Sequence, residues 1–155
     1  MSLFSTKSNS SVEVLSKILA DSYVLLLKTQ NIHWNIEGSK FRSIHLMTEE
    51  HYNNLFDAID CIAERIRMVG AKAPATFAEF AKLASFDEKV DTDNQNEMLN
   101  ALLSSHEAIR VDIISGIKKL EDSDDFGTIG AIDVLNSRLA FHDKVVWMLK
   151  STLKK

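Results

Sequence analysis

A scarcity of chain-breaking residues constrains this sequence more than any other feature. Its 155 residues include five glycines and one proline. Average usage would put roughly 19 such residues in a chain of this length. Six is too few for the many tight turns of a β-sandwich or a β-barrel, and too few for a disordered chain. The hydrophobic fraction of 45% supplies a sizeable core. Long helices joined by few connections fit these limits, in one domain rather than two.

Periodicity locates the helices. Val12, Leu15, Ile18, Leu19, Leu26 and Trp34 recur near a 3.6-residue period, which predicts a first long helix over 12–37. Ser11 is its expected N-cap and Gly38 its stop, and residues 1–11 read as a flexible Ser-rich tail. A second stripe, Tyr52, Leu55, Phe56, Ile59, Ile62, Ala63, Ile66 and Val69, predicts a helix from about Lys40 to Val69. Gly70 closes it, and the single proline, Pro74, lies just beyond. Residues 75–84 suit a short helix within a long crossover spanning roughly 71–92. A third long helix is expected from about Asp93 to Leu120 and a fourth from about Thr128 to Leu153. Four wide amphipathic stripes predict an all-α four-helix bundle over 12–155, with one long crossover.

Charge and cysteine content narrow the function classes. Eighteen basic and 22 acidic residues give a net charge of −4, which provides no general attraction to nucleic acid or to an anionic membrane. One cysteine excludes an internal disulfide framework and suits a reducing compartment. No apolar run approaches the ~20 residues that span a bilayer, and the first residues carry no apolar stretch of secretory length. A cytoplasmic location is the expectation.

A helix bundle can house a di-iron site built on Glu-x-x-His motifs. The residues three before the five histidines are Gln30, Arg42, Thr48, Leu103 and Leu139, so that signature is missing. The second helix offers another donor set. His45 and Glu49 stand at i, i+4, as do Asp60 and Glu64, and all four fall within an arc of roughly 100°. Imidazole with carboxylate suits Fe²⁺, Mn²⁺ or Zn²⁺. His45 and Asp60 are 15 residues apart, about 22 Å along a helix. One metal ion cannot touch both within one chain. Two copies of this helix packed antiparallel across a two-fold axis near residues 54–55 would bring the pairs together, giving two identical sites per dimer. Spacing alone also fits a solvated face carrying ordinary polar residues, and both readings stay open at this point.

The ordered pattern His33-Trp34-Asn35-x-x-Gly38-x-x-Phe41-x-x-Ile44-His45-x-x-x-Glu49, then Tyr52, then Asp60-x-x-Ala63-Glu64-Arg65-Ile66-x-x-x-Gly70 resembles the signature of the Dps-type miniferritins. The run Asp143 to Leu149 resembles the last helix of that family. The resemblance implies a ferritin-like bundle assembling into a hollow dodecamer of two-fold dimers. It implies a ferroxidase centre with His33, His45 and Glu49 from one chain and Asp60 and Glu64 from its two-fold mate. Glu49 stands where Asp is common in the family. Trp34 matches a tryptophan that donates electrons or quenches radicals near the iron, and its alternative is simple apolar packing.

The implied activity is oxidation of Fe²⁺ by hydrogen peroxide or O₂, storage of the ferric mineral and protection against oxidative damage. Iron is the implied metal, and Zn²⁺ or Mn²⁺ suit the same donors. Acids lining three-fold pores are also implied, with Asp124, Asp125 and Asp133 as candidates. The family pattern Asp-x-x-Thr-x-Asp is not kept, since Gly130 and Ala131 precede Asp133. The plainer reading of the acidic turn 121–125 is a solvated turn whose aspartates cap the last helix. Some relatives compact DNA through basic tails, which is the alternative function. Here the N-terminal tail holds only Lys7 before Glu13, and DNA binding is expected to be weak or absent. His106 and His142 are expected in the core with one hydrogen-bond partner each. His51 is expected to face solvent and Cys61 to be buried.

Overall fold

The computed structural model describes residues 9–154. Among them there are five helices and no strand: α1 (Ser10–Asn35), α2 (Phe41–Met68), α3 (Phe77–Leu83), α4 (Gln95–Glu121) and α5 (Thr128–Leu153). The four long helices pack as α1 along α2 and α4 along α5, with α1 also lying on α4 and α2 on α5. The long connection from α2 to α4 crosses the bundle and carries α3, which packs on α1. This is the expected four-helix bundle with one long crossover.

Each helix contributes one stripe to a shared core. Leu15, Ile18, Leu19, Leu25 and Ile32 come from α1, and Ile44, Leu55, Ile62 and Ile66 from α2. Leu99, Leu102, Ile109, Ile113 and Leu120 come from α4, and Leu135, Val145 and Leu149 from α5. Burial at this spacing is what holds helices of this length together, since helical propensity alone is weak. Gly116 lets α4 approach α1, because a Cβ there would stand 2.5 Å from Val14 Cγ1.

Several ends differ from expectation. The first helix begins at Ser10, and its N-cap is Asn9, whose Oδ1 accepts from Ser11 N at 2.9 Å and Val12 N at 3.3 Å. Ser11 is therefore buried inside the first turn rather than capping it. Residues 1–8 of the expected tail lie outside the described residues. The helix ends at Asn35, not at 37, because Ile36 turns to an extended conformation and buries its side chain. Gly38, at φ 108°, then makes the turn into α2. The short helix α3 is set by a capping box between Thr76 and Glu79.

The last helix is not capped by an aspartate. Its N-cap is Gly127 at φ 90°, with no side-chain cap. Asp125 instead accepts the Ser10 N–H at 2.7 Å and so ties the start of α1 to this turn. No described helix is long and apolar enough to cross a membrane.

Candidate metal centre

His33 reaches the site from the last turn of α1, and His45 from the second turn of α2. The Gly38 turn folds the two helices against each other, so residues twelve apart meet face to face. Their rings stack at 3.7 Å between centroids, inclined by 16°. Phe41 stacks on the His45 side at 5.1 Å, and Tyr52 meets His33 edge-on at 5.1 Å.

The backbone contacts of the two histidines are reciprocal. His33 Nδ1 lies 2.8 Å from the His45 carbonyl oxygen, and His45 Nδ1 lies 2.8 Å from the His33 carbonyl oxygen. A carbonyl can only accept, so each Nδ1 carries the proton and donates it. In the neutral ring the lone pair is then on Nε2. A histidine that binds metal through Nε2 needs this tautomer, fixed by a hydrogen bond from its other nitrogen.

Thr48 completes the lock. Its hydroxyl donates to the carbonyls of Ile44 at 2.8 Å and His45 at 3.0 Å, and lies 3.3 Å from His33 Nδ1, offering it a second acceptor. Sequence reasoning missed Thr48. The signal was its place three residues after His45, on the same side of α2 as Ile44 and His51.

Glu49 is half-buried one turn beyond His45. Asp60 and Glu64 are exposed further along α2. Asp60 lines an open groove of about 440 Å³ with Tyr23, Leu26, Phe56, Ile59 and Ala63. Among the described residues, no three His, Cys, Asp or Glu side chains come close enough to hold a metal ion within one chain. The fold thus brings His33 and His45 together and leaves Asp60 and Glu64 apart from them.

Two residues counted in apolar stripes face outward instead. Trp34 is 62% exposed and Phe56 is 66% exposed. With Leu27 and Phe41, also exposed, they give the α1–α2 side an apolar surface. The pore candidates are scattered in role. Asp124 and Asp133 are exposed, and Asp133 lines a groove with Asp57, Cys61 and Arg138. Asp125 is occupied by the Ser10 contact.

Two other placements overturn expectation. His51 is 3% exposed and faces the core, because Ile44, Thr48, His51, Leu55, Ala58, Ile62 and Ile66 form one helical stripe. Cys61 is exposed, one residue off that stripe. His106 and His142 are in the core as expected, with each other as hydrogen-bond partner at 2.9 Å between Nδ1 atoms.

Comparison with known proteins adds a lineage to this geometry. The ferritin-like domain profile matches residues 12–155. "DNA protection during starvation protein 2" of Bacillus anthracis is 33% identical over 142 residues, covering 92% of this chain and 95% of that protein. The crystal structure of Dps from Staphylococcus aureus superimposes with a TM-score of 0.88 at 27% identity, covering 94% of this chain and 95% of that one. The Dps protein of Vibrio cholerae O1 superimposes with a TM-score of 0.85 at 26% identity, covering 93% of this chain and 89% of that one. That protein is described as a member of a broad superfamily of ferritin-like diiron-carboxylate proteins.

Proposed function

This chain belongs to the Dps branch of the ferritin-like family, and from that premise we propose that it is a ferroxidase and iron-storage protein of a hollow homo-oligomeric cage. The observation that carries the reading is the reciprocal His33–His45 lock, which leaves both Nε2 atoms as lone-pair donors. Glu49 adds a carboxylate from the same chain. Asp60 and Glu64 of a second copy complete the set across a two-fold axis, since the ~22 Å helical distance forbids one chain from supplying all five. The exposed apolar side formed by Leu27, Trp34, Phe41 and Phe56 is the surface that the second copy covers. Twelve copies, as six such dimers, close the cage. Residues 12–155 act as one domain, and the cytoplasm is its compartment.

Iron is the substrate and cargo. Carboxylate oxygens and imidazole nitrogens favour Fe³⁺ over Fe²⁺ and so ease the loss of an electron. Two Fe²⁺ give one electron each to a hydrogen peroxide molecule, which takes up two protons and leaves as two waters. Delivering both electrons together avoids release of hydroxyl radical. O₂ is the second candidate oxidant, and the ferric product is stored in the hollow interior. Zn²⁺ and Mn²⁺ suit the same donors and act as competitors. Trp34, exposed and next to His33 in the chain, donates an electron or quenches radicals near the iron in this reading. Asp124 and Asp133 remain candidates for guiding Fe²⁺ through the shell. For Asp125 the same role competes with its contact to Ser10.

The test is anaerobic loading with Fe²⁺, then separate pulses of peroxide and O₂, followed by ferric absorbance. The native protein is expected to oxidise iron well above a protein-free control. The double variant His45→Ala/Asp60→Ala is expected to assemble, by size-exclusion chromatography, and to lose rapid oxidation. Unchanged oxidation in an assembled variant would refute the assignment of the site.

A further inference from the structure

The shared iron site fixes more than the need for a second copy. In two antiparallel α2 helices, His45 can stand opposite Glu64 of the partner subunit, and Glu49 opposite Asp60 of the partner subunit. The midpoint between His45 and Glu64 falls between Asn54 and Leu55, and so does the midpoint between Glu49 and Asp60. One two-fold axis at that height serves both pairs. The crossed assignment, His45 with Asp60 and Glu49 with Glu64, has its midpoints at two different heights and needs two axes. The ligands thus define a single register of α2 against its copy.

That register assigns a neighbour to every other residue on this face. Asn53 and Phe56 share the same midpoint. At ~100° per residue, both fall inside the arc that holds His45, Glu49, Asp60 and Glu64, and between Glu49 and Asp60 no other residue does. Each Phe56 ring would then face the partner's Asn53. The two Phe56 rings would lie next to each other at the axis, offset along it by about 4.5 Å. In the single chain Phe56 is 66% exposed and Asn53 is exposed as well, so both are free to meet a copy.

Leu46 and Ala63 are a further pair about the same midpoint. Leu46 is 46% exposed, one residue after His45. Ala63, one residue before Glu64, lines the open groove of about 440 Å³ between α1 and α2. A large apolar side chain on one copy thus falls opposite a small one, beside unfilled space, on the other. Both contacts repeat on the far side of the axis, as a two-fold interface requires.

Electrostatics says why apolar contacts must set this register. Before iron arrives, Glu49 faces the partner's Asp60, carboxylate against carboxylate. Like charges brought together oppose docking. The ligands therefore do not align the helices that carry them. Burial of exposed apolar side chains meets no such opposition, and at a two-fold axis each contact counts twice.

We propose that Phe56, at the two-fold axis, and Leu46, in the partner's groove at Ala63, hold the register of the α2 pair and so position both iron sites at once. Phe56 is a positioning residue. It carries no donor atom for iron, and its effect on oxidation runs through geometry. A slip of α2 past its copy by one helical turn, about 5.4 Å, would part His45 from Glu64 and Glu49 from Asp60 in both sites together. The register rests on the shared iron site proposed above, and the two are tested apart.

Paired cysteines in the whole assembly read the register without iron. In a Cys61→Ser background, Leu46→Cys/Ala63→Cys is expected to form disulfides between chains under mild oxidation, seen as a dimer on a non-reducing denaturing gel. The two positions are about 25 Å apart along one helix, so one chain cannot close the bond alone. Leu46→Cys/Arg67→Cys, one turn out of register, is expected to give little dimer. Equal yields from the two pairs overturn the proposal. In the assembled protein, Phe56→Ala is expected to slow iron oxidation by about a hundredfold, the scale of a small misplacement of reacting groups, and Phe56→Leu to restore most of it. Native oxidation in Phe56→Ala overturns the role of Phe56. Where that variant does not assemble, the cysteine pairs decide. Register-specific disulfides in a protein that does not oxidise iron support the register and refute the iron reading. Iron oxidation without them refutes the register alone.

Discussion

Asp21→Asn should make this protein more stable at neutral pH, although it removes a buried ion-pairing group. Asp21 lies on α1 with its side chain fully buried. Burial pushes its carboxyl up to about 6 from an ordinary 3.8, against the opposing pull of the Ser85 N–H at 2.6 Å and of Lys17 at 3.6 Å, and Asp112 adds to the rise. A raised carboxyl binds its proton more tightly in the folded state than in the unfolded one. As pH rises from 3.8 towards 6, the unfolded chain releases its proton first and stability falls; above 6 the loss is constant. The rise from 3.8 to about 6 corresponds to about 3 kcal/mol, at ~1.36 kcal/mol for each tenfold change in proton affinity. Asparagine is neutral at every pH, and its Oδ1 still accepts from Ser85. It places an amide beside Lys17, which keeps Asp112 as partner. A net gain of about 1–3 kcal/mol at pH 8 is expected, shrinking as pH approaches 4. Urea unfolding of native and variant at one fixed protein concentration, from pH 4 to pH 8, reads both magnitude and slope. A destabilisation of equal size at every pH would refute the reasoning, because it would mean that the Lys17 and Ser85 contacts outweigh the cost of burial.

Three further outcomes follow from other contacts. Thr48→Val keeps the shape of a buried side chain and removes the hydroxyl 3.3 Å from His33 Nδ1. Since the His45 carbonyl remains as acceptor, iron oxidation is expected to weaken by about tenfold, the low end for such supporting contacts, with assembly unchanged by size-exclusion chromatography. Gly116→Ala sets a Cβ 2.5 Å from Val14 Cγ1. The helical gain of about 1 kcal/mol is smaller than the overpacking cost of about 1–3 kcal/mol, because the β-branched Val14 has little rotamer freedom in a helix. A lower melting temperature is expected, restored by adding Val14→Ala. Plasmid DNA at low salt and neutral pH is expected to migrate unretained in a gel shift. Each chain carries a net charge of −4 and offers phosphates little counter-charge.

What the sequence revealed, and what it hid, depends on whether polar side chains share the helical period. The four long helices were legible because apolar residues mark their stripes, and Gly38, Gly70 and Pro74 fall where helices have ended. The same reading misplaced His51. An apolar pattern skips a histidine, yet His51 falls in register with Leu55 and Thr48 and is carried into the core with them. Phe56 failed in the opposite direction. It is apolar and near the stripe, but one residue past Leu55, so the helix turns it outward. Two acceptable caps, Asn9 and Ser11, stood within one turn, and packing of the start of α1 against Asp125 selected the earlier one. That choice depends on a residue 115 positions away and has no local signature.

The candidate iron site was legible for a different reason. Fifteen residues of unbroken helix separate His45 from Asp60, and no side chain spans ~22 Å. If both pairs are to bind one metal ion, that distance calls for a second chain before any contact is known. The structure adds what spacing could not supply, which is the orientation of each ring. The exchange of backbone hydrogen bonds between His33 and His45 depends on the tight α1–α2 turn at Gly38. Lengthening that turn by one residue would move α2 relative to α1 and break both contacts at once. Both Nε2 donors would then lose their fixed direction, although every proposed ligand would still be present in the sequence.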